Sequence, residues 1–242
     1  MAKHQIYIGT SGWSYKHWRG TFYPEATKVK DQFAYYFSKF DSVEINNSFY
    51  RLPTKETFLR WKEEVPENFK YVLKASRYIT HLKRLRDSSE SLGQFLSHAT
   101  LLGTKLGAVL FQLPPNLKYD DTLLSDFLRI LPKGFRYAFE FRNPEWYRDE
   151  VYNLLKNYNC AFCIYELAGH LSPIKVTADF VYVRLHGPGK KYQGSYQDEI
   201  LSKWAGHCRK WLKSHDVFVY FDNDEKGYAA FNALKLKALA SK

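Results

Sequence analysis

Eight short runs of β-branched, aromatic and aliphatic residues, each separated from the next by a longer stretch, constrain this chain more than any other feature. They are Ile6–Thr10, Ser42–Asn47, Phe69–Ala75, Leu106–Leu113, Arg136–Phe141, Ala161–Tyr165, Phe180–His186 and Val217–Asp222. Helical periodicity with charged outer faces marks the intervals Lys28–Phe40, Thr54–Glu64, Ser88–Leu102, Asp120–Leu131, Pro144–Asn157, Ser195–Ser214 and Lys226–Leu239. From Ser195 onward, Ile200, Trp204, Cys208, Trp211 and Leu212 recur on one predicted face. Leu167–Asp179 is the exception, where Gly169 and Pro173 argue against a full helix. Strands alternating with helices predict an α/β fold with a parallel sheet. Eight of them in 242 residues predict a single-domain (β/α)8 TIM-type barrel spanning residues 1–242. A doubly wound open sheet is the structural rival. It fits less well, because the first strand-to-helix loop, Ser11–Thr27, is long and lacks GxGxxG.

Successive strand residues point to opposite faces, so alternation sorts each run. Val181, Val183 and Leu185 suit a helix-facing side, which turns Tyr182, Arg184 and His186 inward. The same reasoning turns Glu44 and Asn46, Glu140 and Arg142, and Tyr220 and Asp222 inward, with Lys74 and Gln112 at two further strand ends. Active sites of such barrels lie at the C-terminal strand ends, where these polar groups collect. Glu44, Lys74, Glu140, His186 and Asp222 are the candidate catalytic residues. A purely structural ion-pair network is the alternative, although apolar residues would fill the same space at less desolvation cost.

Rings crowd the adjoining loops: Trp13, Tyr15, Trp18, Phe22, Tyr23, Phe49, Tyr50 and Trp146. Rim rings can stack on bases or sugars, and about half of them are expected to be loop anchors instead. His186-Gly-Pro-Gly-Lys-Lys191 offers small residues and two cations after the seventh strand, a position barrels often use for phosphate. The candidate binding residues are therefore Trp13, Tyr15, Asn46, Tyr50, Gln112, Arg142, Trp146, Arg184, Gly187, Lys190 and Asn223. The formal charge of +11 favours anionic partners, with Lys83-Arg84-Leu85-Arg86 the densest cluster. Cys160 and Cys163 have CxxC spacing, but residues three apart in a strand face opposite ways and cannot share a metal. All three cysteines, Cys208 included, read as small buried hydrophobes. No apolar run approaches the ~20 residues needed to cross a bilayer. Met1–His4 enters the first strand without a signal-peptide pattern, so a cytoplasmic location without membrane partners is expected.

Several motifs in fixed order carry a resemblance. They are Gly9-Thr-Ser-Gly-Trp-Ser-Tyr15 with Trp18-Arg-Gly20, and Val43-Glu-Ile-Asn46 with Phe49-Tyr-Arg-Leu-Pro53. Lys74-Ala75 with Ile79-Thr-His81, Gln112-Leu-Pro-Pro115, and Glu140-Phe-Arg142 with Trp146 follow. Arg184-Leu-His-Gly187, Tyr220-Phe-Asp-Asn-Asp224, Gly227 and Asn232-Ala233 complete the set. Nearly end to end, the chain resembles the domain-of-unknown-function 72 family, the YecE-like proteins. The resemblance implies a TIM-barrel fold and no particular activity. Asp222 departs from it, since the family usually carries Asn there.

Carboxylates, cations and rings at one mouth suggest an acid–base enzyme, a hydrolase or lyase, on a phosphorylated or nucleic-acid substrate. Glu44 or Glu140 would act as base and His186 as acid or base, while Arg142, Arg184 and Lys190 hold phosphate. Glu44, Glu140, His186 and Asp222 together could instead hold one divalent metal; multi-zinc chemistry would need more histidines, with only His17 and His81 in nearby loops. A non-catalytic nucleic-acid-binding protein is the alternative function. A glycoside hydrolase ranks third, because Gln112 and Arg184/His186 stand where such barrels commonly carry their two acids.

Overall fold

Period-two alternation shapes the strands, and the computed structural model describes residues 4–241. Met1–Lys3, the start of the leaderless N-terminus expected above, lie outside the described residues, as does Lys242. The strands are β1 (Ile6–Thr10), β2 (Ser42–Ile45), β3 (Lys70–Lys74), β4 (Leu106–Leu113), β5 (Tyr137–Phe141), β6 (Ala161–Leu167), β7 (His170–Leu171), β8 (Phe180–Leu185) and β9 (Asp216–Phe221). All eight expected strands form, and β7 is an addition to them. By internal packing the chain divides into two units.

The first unit comprises Met1–Glu44, Ile164–Ile174 and Asp179–Lys242. Here β1 pairs in parallel with β9 from Ile6↔Val217 to Thr10↔Phe221, and β9 pairs in parallel with β8. The end of β6 turns back through Ala168 and Gly169, both at positive φ, to pair antiparallel with β7. Two consecutive positive-φ residues suit a tight hairpin turn, which is why no helix follows β6. The helix expected from Ser195 runs from Asp198 to Trp211 and buries Leu201, Trp204, Ala205, Cys208 and Trp211. Ile200 and Leu212 are only half-buried, so the buried face is centred on Leu201.

The second unit comprises Ile45–Cys163 and Lys175–Ala178. Strands β3, β4 and β5 pair in parallel, with Gln112 opposite Glu140, and β6 joins β5 at Ala138↔Ala161 and Phe139↔Phe162. Stacked rings of Phe111, Phe139 and Phe141 form the core of this sheet. Helices Lys55–Glu64 and Asp121–Arg129 start where side chains satisfy their first amides: Thr57 N donates to Thr54 Oγ1 and Leu123 N to Asp120 Oδ1. No helix of the described residues is long and apolar enough to cross a membrane.

Candidate functional site

In the first unit, β2 and β8 aim Glu44, Tyr182 and Arg184 at one another. Glu44 is fully buried and takes three donors: Ser11 Oγ and Arg184 Nη2 on Oε1, and Tyr182 OH on Oε2, each at 2.6 Å. A buried carboxylate with this many charge-assisted bonds is a fixed anchor. The guanidinium it holds also faces Asp222, with Nη2 3.7 Å from Oδ2. Asp222 Oδ2 lies 3.0 Å from Nδ1 of the buried His186. An ionised carboxylate only accepts, so Nδ1 is the nitrogen that donates to Asp222.

Two residues along, Asp224 forms a second cluster. Its Oδ1 accepts from Trp18 Nε1 at 2.5 Å, and its Oδ2 lies 2.9 Å from His17 Nε2. Burial raises the Asp224 carboxyl to about 6; the Trp18 and His17 contacts oppose that rise, and Asp222 adds to it. The Tyr15 phenol is pushed far up by burial first, then by Asp222, Asp224 and Glu44, and donates to Ser11 O. It stays neutral.

Sequence reasoning leaves Ser11, Tyr182 and Asp224 without a catalytic or binding role, takes Trp18 only as a rim ring or loop anchor, and gives His17 only as a possible loop ligand. Alternation already turns Tyr182 inward, and Asp224 belongs to the Tyr220–Asp224 motif. Those two were findable. The pairing of His17 and Trp18 with Asp224 spans more than 200 residues and had no local signal.

The remaining expected residues of this unit are dispersed. Trp13 is half-buried against Phe33. Asn223 is buried; its Nδ2 donates to Gly194 O and Asn232 Oδ1, and its Oδ1 has no hydrogen-bond partner among the described residues. Gly187 sits at φ 115°, where an added Cβ would meet Lys190 O at 2.8 Å. Lys190 is exposed on the loop that Gly187 opens. Glu166, near the end of β6 and outside the expected set, is half-buried, and burial raises its carboxyl despite a hydrogen bond from Trp204.

In the second unit, Glu140 is buried and ion-paired with Arg142 Nε, while Cys163 Sγ lies 3.9 Å from its other oxygen. Gln112 is the register partner of Glu140. The Lys74 ammonium stands 4.3 Å from the Phe49 ring centroid, and His81 meets the same ring edge-on. Burial, with Lys74 and Arg77 adding to it, lowers the His81 pKa. Asn46 is half-buried, and Tyr50 is 72% exposed. Trp146 is not a rim ring. It is fully buried, stacks on Phe141 and donates to Leu117 O at 2.8 Å. Trp18, Phe22, Tyr23 and Phe49 are likewise buried anchors, leaving Trp13, Tyr15 and Tyr50 as the more open rings.

Cys160, Cys163 and Cys208 are free and buried, and burial pushes the Cys160 and Cys208 thiols up to about 12. Among the described residues no three His, Cys, Asp or Glu side chains are grouped to hold a metal ion.

UPF0759 protein YunF of Bacillus subtilis is 28% identical over 268 residues, covering 97% of this chain and 94% of that protein. UPF0759 protein YecE of Escherichia coli K12 is 31% identical over 143 residues, 59% of this chain and 50% of its own length. A solved DUF72 family protein from Thermotoga maritima matches with a TM-score of 0.90 at 28% identity, over 99% of this chain and 100% of that one. With its eight parallel strands, the chain has the α/β, (β/α)8 TIM-type fold that the strand count predicts. A family model matches residues 7–242, and the chain accordingly belongs to the family described as Protein of unknown function DUF72.

Proposed function

We propose that this chain is an acid–base enzyme, a hydrolase or lyase acting on a phosphate-containing small molecule or nucleic-acid strand. Its proton-transfer groups are the Asp222–His186 and Asp224–His17 pairs. One observation carries the reading: two carboxylates at the end of β9 each meet their own histidine, at 3.0 and 2.9 Å, with 17% and 13% of their side chains open to solvent. Neighbouring acids held in different environments are how one site supplies both an acid and a base. Asp224, raised to about 6, is matched to proton transfer near neutral pH. His186 serves as the base while Asp222 fixes the ring. Glu44 and Glu140, each engaged by an arginine, hold those cations in place instead of moving protons. Exposed Lys190 and Lys191, next to His186 in the chain, supply cations for phosphate oxygens. The surplus of positive charge draws anions to the surface.

The test is a screen of phosphomonoesters, nucleotides and short single-stranded oligonucleotides, with products read by mass spectrometry. On any substrate found, Asp224→Asn and Asp222→Asn are expected to lose on the order of 10²–10⁴ in kcat/KM. The kinetic limb near pH 6 should vanish in Asp224→Asn. Undiminished turnover in both variants would sink the assignment. Binding without turnover that disappears at physiological salt would replace it with nonspecific attraction to a basic surface.

A further inference from the structure

We propose that the loops following β2 and β3 form a stacking surface for a single-stranded nucleic acid, with Tyr50 and Tyr78 taking bases and Arg51, Arg77 and Arg84 taking phosphates. This narrows the proposed substrate to a strand and rests on the enzyme reading in that respect alone. All of these residues belong to the second unit. Tyr50 and Tyr78 are 72% and 48% exposed. Large exposed side chains scattered singly mean little, but these two are connected. The Tyr50 ring meets Phe49 at 5.0 Å, Phe49 meets His81 at 5.0 Å, and His81 shares the π-helical turn Tyr78–Leu82 with Tyr78. Each open ring also has an exposed arginine beside it in the chain, Arg51 after Tyr50 and Arg77 before Tyr78. Among the described residues Arg51, Arg77 and Arg84 form no ion pair. Lys83 Nζ stands 5.4 Å from the Tyr78 ring centroid. Burial, then Lys74 and Arg77, lowers the His81 pKa, so the charge felt along this row of rings is positive.

Strained backbone presents Arg84. Arg84, Leu85 and Asp87 stand at φ 51°, 69° and 44°, a conformation costly for residues other than glycine. Buried Leu85 pins the turn, its N–H donating to Ile79 O at 2.9 Å. Lys83 Nζ and Ser88 Oγ close it by donating to Asp87 O and Arg86 O. Arg86 is answered by Asp120 at 3.3 Å, which leaves Arg84 as the exposed cation of the turn that has no ion pair. Strain kept at such a place points to a function for the turn, and π-helical turns recur at functional sites. A single strand offers phosphates to arginines and unpaired base faces to rings, the two contacts that such surfaces combine. A duplex hides its base faces. An anionic membrane would need more exposed aliphatic surface than Leu82 gives this turn.

The experiment titrates the full-length protein into a labelled short oligothymidine, and into a duplex of equal length, by fluorescence anisotropy from low to physiological salt. Phosphatidylserine vesicles are tested by co-sedimentation. Wild type is compared with Tyr50→Ala, Tyr78→Ala, Arg77→Gln and Arg84→Gln, all at exposed positions, with folding checked by circular dichroism. The single strand should bind at least about tenfold more tightly than the duplex, and each tyrosine variant should weaken it about tenfold or more. Each arginine variant should lower the slope of log affinity against log salt by about 0.7. Lys203→Gln, at an exposed lysine of the first unit, should leave affinity and slope unchanged. No binding of the strand at physiological salt overturns the proposal, as do equal binding of the duplex, equal losses in Lys203→Gln, and binding to the vesicles in preference to the strand. Binding is read without turnover, so the two readings fail separately. Tyrosine-dependent binding by a protein that turns over no substrate sinks the enzyme reading and supports this one, whereas turnover of a phosphomonoester with no strand bound does the reverse.

Discussion

Asp222 and His186 are joined by a 3.0 Å contact between Oδ2 and Nδ1, and the same oxygen faces Arg184. Arg184 in turn rests on Glu44, so a buried charge chain runs from Ser11 and Tyr182 through Glu44 and Arg184 to Asp222. Breaking such a chain at one member strands its neighbour.

Glu44→Gln removes the charge opposite a guanidinium that is 1% exposed. The expected destabilisation is about 3 kcal/mol, the low end of the usual cost of breaking a buried ion pair, because Asp222 still faces the guanidinium. Glu44→Gln combined with Arg184→Met should recover part of that loss. Urea denaturation of wild type and the two variants measures it, and a loss under about 1 kcal/mol in Glu44→Gln would contradict the anchor role.

Asp224 links folding to pH. Its carboxyl is raised to about 6 in the folded protein, against about 3.9 when unfolded. The folded state therefore binds this proton more tightly, so its contribution is present below about pH 4 and is lost as pH rises through about 6. Asp224→Asn should flatten the fall in thermal midpoint across that window and raise the midpoint at neutral pH relative to wild type. Identical slopes in the two proteins would contradict the raised carboxyl.

Gly187→Ala places a methyl against Gln193 O and Lys190 O at a φ of 115°. Strain of this kind costs on the order of 1–3 kcal/mol. Limited proteolysis should show earlier cleavage between residues 187 and 196. Unaltered proteolysis and an unaltered thermal midpoint would mean that the loop relaxes freely.

Two aromatic residues should separate in opposite ways. Trp146→Ala empties a fully buried site and should cost about 3–5 kcal/mol. Tyr50→Ala, at a position 72% exposed, should change stability by no more than about 0.5 kcal/mol. Any effect of Tyr50→Ala on a substrate found by the screen would therefore report binding, read as a raised KM.

Pleat alternation and run length are local properties, and they were legible. The strands at Ile6–Thr10 and Leu106–Leu113 form with the expected bounds, and the others differ by one or two residues at their ends. Alternation also turned Glu44, Tyr182, Arg184 and Tyr220 the right way: Tyr182 and Arg184 reach Glu44, and Tyr220 OH lies 2.5 Å from Ser42 Oγ. Which ring is an anchor and which is open was not legible. Trp146 and Tyr50 are both loop aromatics in sequence, and their burial depends on what distant segments pack over them. The Asp224 cluster makes the same point. The chain alone determines that a carboxylate follows β9, through the residues that end the strand. Tertiary structure brings Trp18 and His17 against it from more than 200 residues away, and burial there, a property of the folded neighbourhood, sets when it gives up its proton.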